Sequence, residues 1–196
     1  MGTNQPMEAK VGEATPPKLL LIGLRASGKS TLGRLLAERL DRGFVDLDDI
    51  TAMALDAPGP GAAIERFGLL VFRAAEAEAL AGVLRRPDAG VIALGGGSPT
   101  APGAAEALRN ARSEGTARLC YLRATADTLA KRLGATDLGS RPSLTGMGTV
   151  EEISSLLAQR DALYRELSDH VIEIDTLSQD ETLARLLAWA QSFATR

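Results

Sequence analysis

Residues 19–31 read Leu-Leu-Leu-Ile-Gly-Leu-Arg-Ala-Ser-Gly-Lys-Ser-Thr, and this stretch constrains the fold more than any other. A short apolar run leads straight into Gly23-x-x-x-x-Gly28-Lys29-Ser30, and Leu32, Leu35, Leu36 and Leu40 follow at helical spacing. Strand, GxxxxGK[ST] loop and helix in that order make a P-loop. Successive backbone N–H groups of the loop and the first helical turn form a nest at the positive end of the helix dipole, which suits a phosphate chain. Gly28 lets the backbone approach the phosphates, Lys29 places a point charge on the β- and γ-phosphates, and the Ser30 hydroxyl serves a bridging Mg²⁺. Gly23, Ser27 and Thr31 complete the expected nucleotide contacts of the loop, and Ala26 stands where many P-loops carry a further glycine.

Short apolar runs recur at Val91–Leu94, Leu119–Leu122 and Val171–Ile174, with a weaker one at Phe44-Val45. Runs that are apolar on both faces are what parallel strands require. Between them leucines return at helical spacing, as at Leu156, Leu157, Leu163 and Leu167, and at Leu183, Leu186 and Leu187. Alternation of this kind predicts an α/β fold of three layers, a parallel sheet with helices on both faces and a ligand site at the carboxyl ends of the strands. Residues 1–18 show no apolar periodicity and are expected to form a flexible tail, with 19–196 as a single domain. The stretches 56–61 and 134–148, rich in glycine with or without proline, are expected to be loops, the second long enough to act as a lid.

Around the P-loop the polar residues form a pattern. Asp46 and Asp48, two apart after the second apolar run, are expected to point to one side; one can serve Mg²⁺ and the other can take a proton from a substrate hydroxyl. A solvated acidic loop or a helix cap is the plainer reading of the same pair. Arg73 and Glu76 share a helical face at i, i+3, where Glu76 can fix the guanidinium for a bidentate grip on a carboxylate. Gly95, Gly96 and Gly97 close the third run, and three glycines at a strand mouth suggest a ligand lying against bare backbone. Arg141 precedes Pro142 in the second Gly-rich stretch, and Arg160 and Tyr164 share a face at i, i+4.

Taken in order, these residues resemble the shikimate kinase family of small P-loop kinases, from about Leu19 to about Asp175. The resemblance implies a P-loop NTPase fold of nucleoside-monophosphate-kinase type with a lid, and transfer of the γ-phosphoryl of ATP to the 3-hydroxyl of shikimate with Mg²⁺. It assigns Asp46 with Ser30 to the metal and Asp48 to the shikimate hydroxyls as the base. Arg73 and Arg160 hold the shikimate carboxylate, and Gly95, Gly96 and Gly97 contact shikimate through backbone. Arg141 reaches the phosphates from the lid, and Arg132 packs near adenine. Lys29, Asp48 and Arg141 form the implied catalytic set.

The chain departs from the family pattern at Leu69, where the GExxFR segment usually has glutamate, in the Pro-, Gly- and Ala-rich run 57–64, and at Ser143 after Pro142. Two rival readings remain at this stage: another small-molecule P-loop kinase, such as one acting on gluconate, and a sensing module without turnover. Composition narrows the partners. The net charge of -3, from 22 basic and 25 acidic residues, gives no field that would draw the chain onto nucleic acid or an anionic membrane. No run approaches a membrane span, and the single cysteine, Cys120, excludes an intramolecular disulfide. A cytoplasmic monomer that binds ATP and a small substrate is expected, with Cys120, His170, Trp189 and Phe193 in structural roles.

Overall fold

The computed structural model describes residues 16–135 and 149–193. Five strands, β1 (Lys18–Ile22), β2 (Phe44–Asp46), β3 (Val91–Ala93), β4 (Ala117–Arg123) and β5 (His170–Glu173), form one sheet. All four pairings are parallel, in the order β2-β3-β1-β4-β5. β1 lies in the centre, and Leu19 to Ile22 are buried throughout, as their unbroken apolar run requires.

The helices are α1 (Lys29–Arg39), α2 (Leu47–Ala54), α3 (Pro60–Phe67), α4 (Leu69–Arg85), α5 (Ala104–Ser113), α6 (Ala126–Ala135), α7 (Thr149–Leu167) and α8 (Gln179–Gln191). The chain leaves β1 toward β2 but moves the opposite way from β2 to β3, β3 to β4 and β4 to β5. Right-handed crossovers therefore place α1 on one face and α4, α5 and α7 on the other, with α8 packed against α1. Connections diverge between β1 and β4, so the crevice at their carboxyl ends is where such a sheet binds ligands. The P-loop opens there.

Two local expectations need correction. Asp46 and Asp48 do not alternate along a strand, because β2 ends at Asp46 and α2 begins at Leu47. The Asp46 carboxylate instead caps α2, accepting from the Asp48 N–H at 3.1 Å. The stretch 56–61 is only partly a loop, since Pro60 opens α3 at a first-turn position where its missing N–H costs no hydrogen bond. Trp189 and Phe193 meet edge-on at 5.5 Å, His170 stacks on Trp189, and Cys120 is fully buried in β4.

Candidate active site

The P-loop geometry follows from its glycines. Gly28 caps α1 at φ 88°, and Gly23 has φ 154°, where a side chain would meet the Leu122 carbonyl. Ala26 also lies in the left-handed region, at φ 65°, so the alanine sits where glycine is unstrained. Lys29 is buried and curls over its own loop, donating from Nζ to the Leu24 carbonyl at 2.9 Å and to Ser27 Oγ at 3.5 Å. The Ser30 side chain lies beside the Asp46 carboxylate. Burial pushes the Asp46 carboxyl above its ordinary range, repulsion from Asp48 and Asp49 adds to this, and the Ser30 hydroxyl and the Asp48 N–H oppose it.

Next to the loop, on the turn after β3, the glycine triplet meets three different groups. The α-carbon of Gly95 faces the Asp48 carboxylate, Glu76 and Ser98. Gly96 lies against the P-loop backbone, where an added Cβ would come within 3.0 Å of the Arg25 nitrogen. Gly97 lies against the guanidinium of Arg73. Sequence reasoning expects bare backbone for a ligand; in the structure the three glycines also leave room for the Asp48, Glu76 and Arg73 side chains and the P-loop backbone.

Glu76 is fully buried, pairs through Oε2 with Arg73 Nη1 and accepts from the Ser98 hydroxyl at Oε1. Burial pushes its carboxyl up, only partly offset by Arg73 and Ser98, and Asp48 lies close enough to add repulsion. Arg73 is thus held from behind, on α4, with its guanidinium presented at the turn. Arg160 and Tyr164 arrive from α7, and Arg160 Nη1 and the Tyr164 hydroxyl both donate to the Gly96 carbonyl at 2.8 Å. Burial pushes the Tyr164 hydroxyl up to about 12, so it remains a donor at neutral pH.

On the other side of the P-loop a cleft of about 300 Å³ is bounded by Ser27, Thr31, Arg132, Ile174, Leu177 and Gln179. Arg132 donates to the Ile174 carbonyl at 3.2 Å and lines this cleft. Ile174, Leu177 and Gln179 were not singled out by sequence reasoning, nor was Ser98, and no local pattern marks them. Arg141 and residues 136–148 lie outside the described residues.

Gly23, Ser27, Gly28, Lys29, Ser30, Thr31 and Asp46 therefore stand together at the loop. Asp48, Arg73, Gly95, Gly96, Gly97 and Arg160 stand together beside it. Among the described residues no group of three or more His, Cys, Asp and Glu side chains could hold a metal by itself, and no helix is long and apolar enough to cross a membrane.

A model of the family described as shikimate kinase matches residues 25–191. Shikimate kinase 2 of Escherichia fergusonii is 36% identical over 179 residues, 91% of this chain and 94% of that protein. Shikimate kinase of Rhodopirellula baltica is 37% identical over 185 residues, 92% of this chain and 94% of its own length. Among solved structures, shikimate kinase from Acinetobacter baumannii in complex with shikimate superposes with a TM-score of 0.81 at 28% identity, covering 93% of this chain and 97% of that one. A gluconokinase from Sinorhizobium meliloti reaches a TM-score of 0.54 at 18% identity over 92% and 94% of the two chains, a likeness of fold alone.

Proposed function

The chain belongs to the shikimate kinase family and is an ATP-dependent phosphotransferase, and from that premise we propose how its own residues carry the transfer of the γ-phosphoryl of ATP to the 3-hydroxyl of shikimate. The observation that carries the assignment is the turn 95–97, which abuts the P-loop on one side and meets two guanidinium-bearing elements on the other. A phosphate site and a carboxylate grip thereby share one rigid strand mouth. Shikimate, a carboxylate with neighbouring hydroxyls, needs both.

Loop N–H groups and the α1 terminus cradle the phosphates, and Lys29 exchanges the neutral Leu24 carbonyl for the charged β- and γ-oxygens. Ser30 and Asp46 supply two neighbouring hard oxygen donors, which would hold a Mg²⁺ at the phosphate end of the site. When bound, that ion neutralises charge on the phosphates. Arg73, fixed by Glu76, and Arg160 hold the substrate carboxylate, which leaves the hydroxyl end toward Asp48 and the P-loop. Asp48 takes the proton as the 3-hydroxyl oxygen bonds to the γ-phosphorus and the bond to the bridging oxygen breaks, with ADP leaving. Arg132, with Leu177 and Gln179, forms the base side of the nucleotide site. Arg141 is assigned to the phosphates by motif order alone.

We also propose that residues 19–196 act as one kinase domain, as a cytoplasmic monomer without nucleic acid or membrane partners, which the near-balanced charge supports. ADP release coupled to a reporter, with Mg²⁺-ATP and either shikimate, gluconate or no acceptor, tests the whole reading. Release that depends on shikimate is expected. Preference for gluconate would transfer the site to the rival kinase class, and ATP binding without turnover on any acceptor would make the chain a sensor.

A further inference from the structure

α7 carries both groups that meet the Gly96 carbonyl, so its rotation about its own axis decides where the Arg160 guanidinium falls. The C-terminal half of α7 is held by α5, through Arg109 paired with Glu166 and Arg112 donating to the Glu166 carbonyl and to Asp169. Beside Arg160, next to the buried packing of Tyr164 and Leu167, the polar hold on the sheet passes through one carboxylate. Asp161 Oδ1 accepts from the Tyr121 hydroxyl at 2.9 Å and from Arg123 Nε at 2.7 Å, and Oδ2 accepts from Arg165 Nε at 3.0 Å. Arg123 and Arg165 then share Glu173, at 3.0 and 3.3 Å. Asp161 so ties α7 to β4 and, through the shared Glu173, to β5.

Two features separate this cluster from an ordinary surface network. The Asp161 and Arg123 side chains are only 23% and 25% exposed, so their charged hydrogen bonds are partly sheltered from water. The Tyr121 ring also meets the Tyr164 ring edge-on at 5.5 Å, one helical turn from Arg160. Burial pushes the Asp161 carboxyl up, but the bonds from Arg123, Arg165 and Tyr121 outweigh it and hold the group below its ordinary range, ionised and accepting at neutral pH.

We propose that Asp161 is a positioning residue for the phosphoryl transfer: anchored on Tyr121 and Arg123, it sets the rotation of α7 that aims Arg160 at the carboxylate of the acceptor. This rests on the assignment of Arg160 given above. Asp161→Asn keeps the shape but turns an amide N–H₂ toward a guanidinium, and Tyr121→Phe removes a single hydroxyl while keeping the ring.

Calorimetric Kd values for shikimate and for ATP, with KM and kcat, test it in the full chain. Asp161→Asn is expected to weaken shikimate about fivefold to tenfold, as for groups coupled through one network, and to leave ATP unchanged. Tyr121→Phe moves shikimate affinity the same way by less. In an Arg160→Ala background, Asp161→Asn adds no further loss, because the residue it positions is gone. Full additivity in that double variant, equal weakening of both ligands, or unchanged shikimate affinity in Asp161→Asn would overturn the proposal. If Arg160→Ala alone left shikimate affinity intact, the role of Arg160 would fall first and the proposal with it.

Discussion

Replacing Gly97 by alanine separates space from backbone freedom. Gly97 sits at φ -125° and ψ 0°, a conformation open to alanine, so no torsional strain enters. The new Cβ would lie 2.5 Å from Arg73 Cζ and 2.9 Å from its Nη1. Nη2 would be nearer still, at 2.1 Å, so restoring ordinary contact at about 3.5 Å requires the guanidinium to move by about 1.4 Å. Its side chain is flexible enough to do so, but only by leaving Glu76. Loss of part of that pair costs about 1 kcal/mol, a Tm lower by about 2–4 °C for a chain of this size. The larger effect is on the substrate, since a misplacement of about 1 Å at a positioning group can cost on the order of 10²-fold. Steady-state kinetics should therefore show kcat/KM for shikimate reduced about 10- to 100-fold, mostly in KM, with KM for ATP unchanged. Gly96→Ala supplies the contrast: its Cβ meets the P-loop backbone at 3.0 Å, which cannot swing aside, so KM for ATP rises as well. Unchanged KM for shikimate in Gly97→Ala, or ATP and shikimate constants moving in step, would refute the assignment of Arg73 to the acceptor.

Lys29→Met should abolish coupled ADP release and weaken nucleotide binding by calorimetry, while the fold, read by circular dichroism, persists; normal turnover would remove Lys29 from the chemistry. Arg73→Ala should weaken shikimate and also destabilise the protein in a pH-dependent way. The Glu76 carboxyl is already raised by burial, so its contribution is complete below the ordinary carboxyl range and is lost as pH rises through its folded-state value. Removing Arg73 takes away an opposing charge and raises that value further, so the Tm gap between wild type and variant should widen from about pH 5 to pH 8, and a gap that narrows would contradict the buried pairing.

What could be read from sequence was what is local. The P-loop, the leucine row of α1 and the i, i+3 pair of Arg73 and Glu76 each depend on spacings of a few residues, and each stands as expected. The Asp46–Asp48 alternation failed because one backbone event, the start of α2 at Leu47, converted a strand period into a helix cap. The start of α3 carried its own signal in Pro60, outweighed by the surrounding glycines. Ser98, Asp161 and the wall of the base-side cleft formed by Ile174, Leu177 and Gln179 could not be read at all. Ser98 meets Glu76 across 22 residues of chain and Arg123 meets Asp161 across 38, and such partners are chosen by strand order rather than by any local pattern.

Phosphoryl transfer asks the protein mainly for placement, and the turn 95–97 shows how this fold supplies it. Three successive glycines face three groups that must be mutually fixed: the Asp48 carboxylate with Glu76, the P-loop backbone, and the Arg73 guanidinium. The carbonyl of the middle one also receives Arg160 and Tyr164. Because the turn follows β3, and β3 is hydrogen-bonded to β1, the distance from phosphate loop to acceptor grip is set by neighbouring strands of one sheet rather than by any peripheral segment. The substitutions that set this chain apart, Leu69 and the Pro-, Gly- and Ala-rich run 57–64 that leads into the first turns of α3, lie at the edge of the acceptor lobe, where Leu69 is partly exposed. They can alter how the substrate is covered without moving the atoms between which phosphate passes, so divergence there leaves the reaction's geometry in place, whereas a single methyl group at Gly96 or Gly97 displaces a group that holds a substrate.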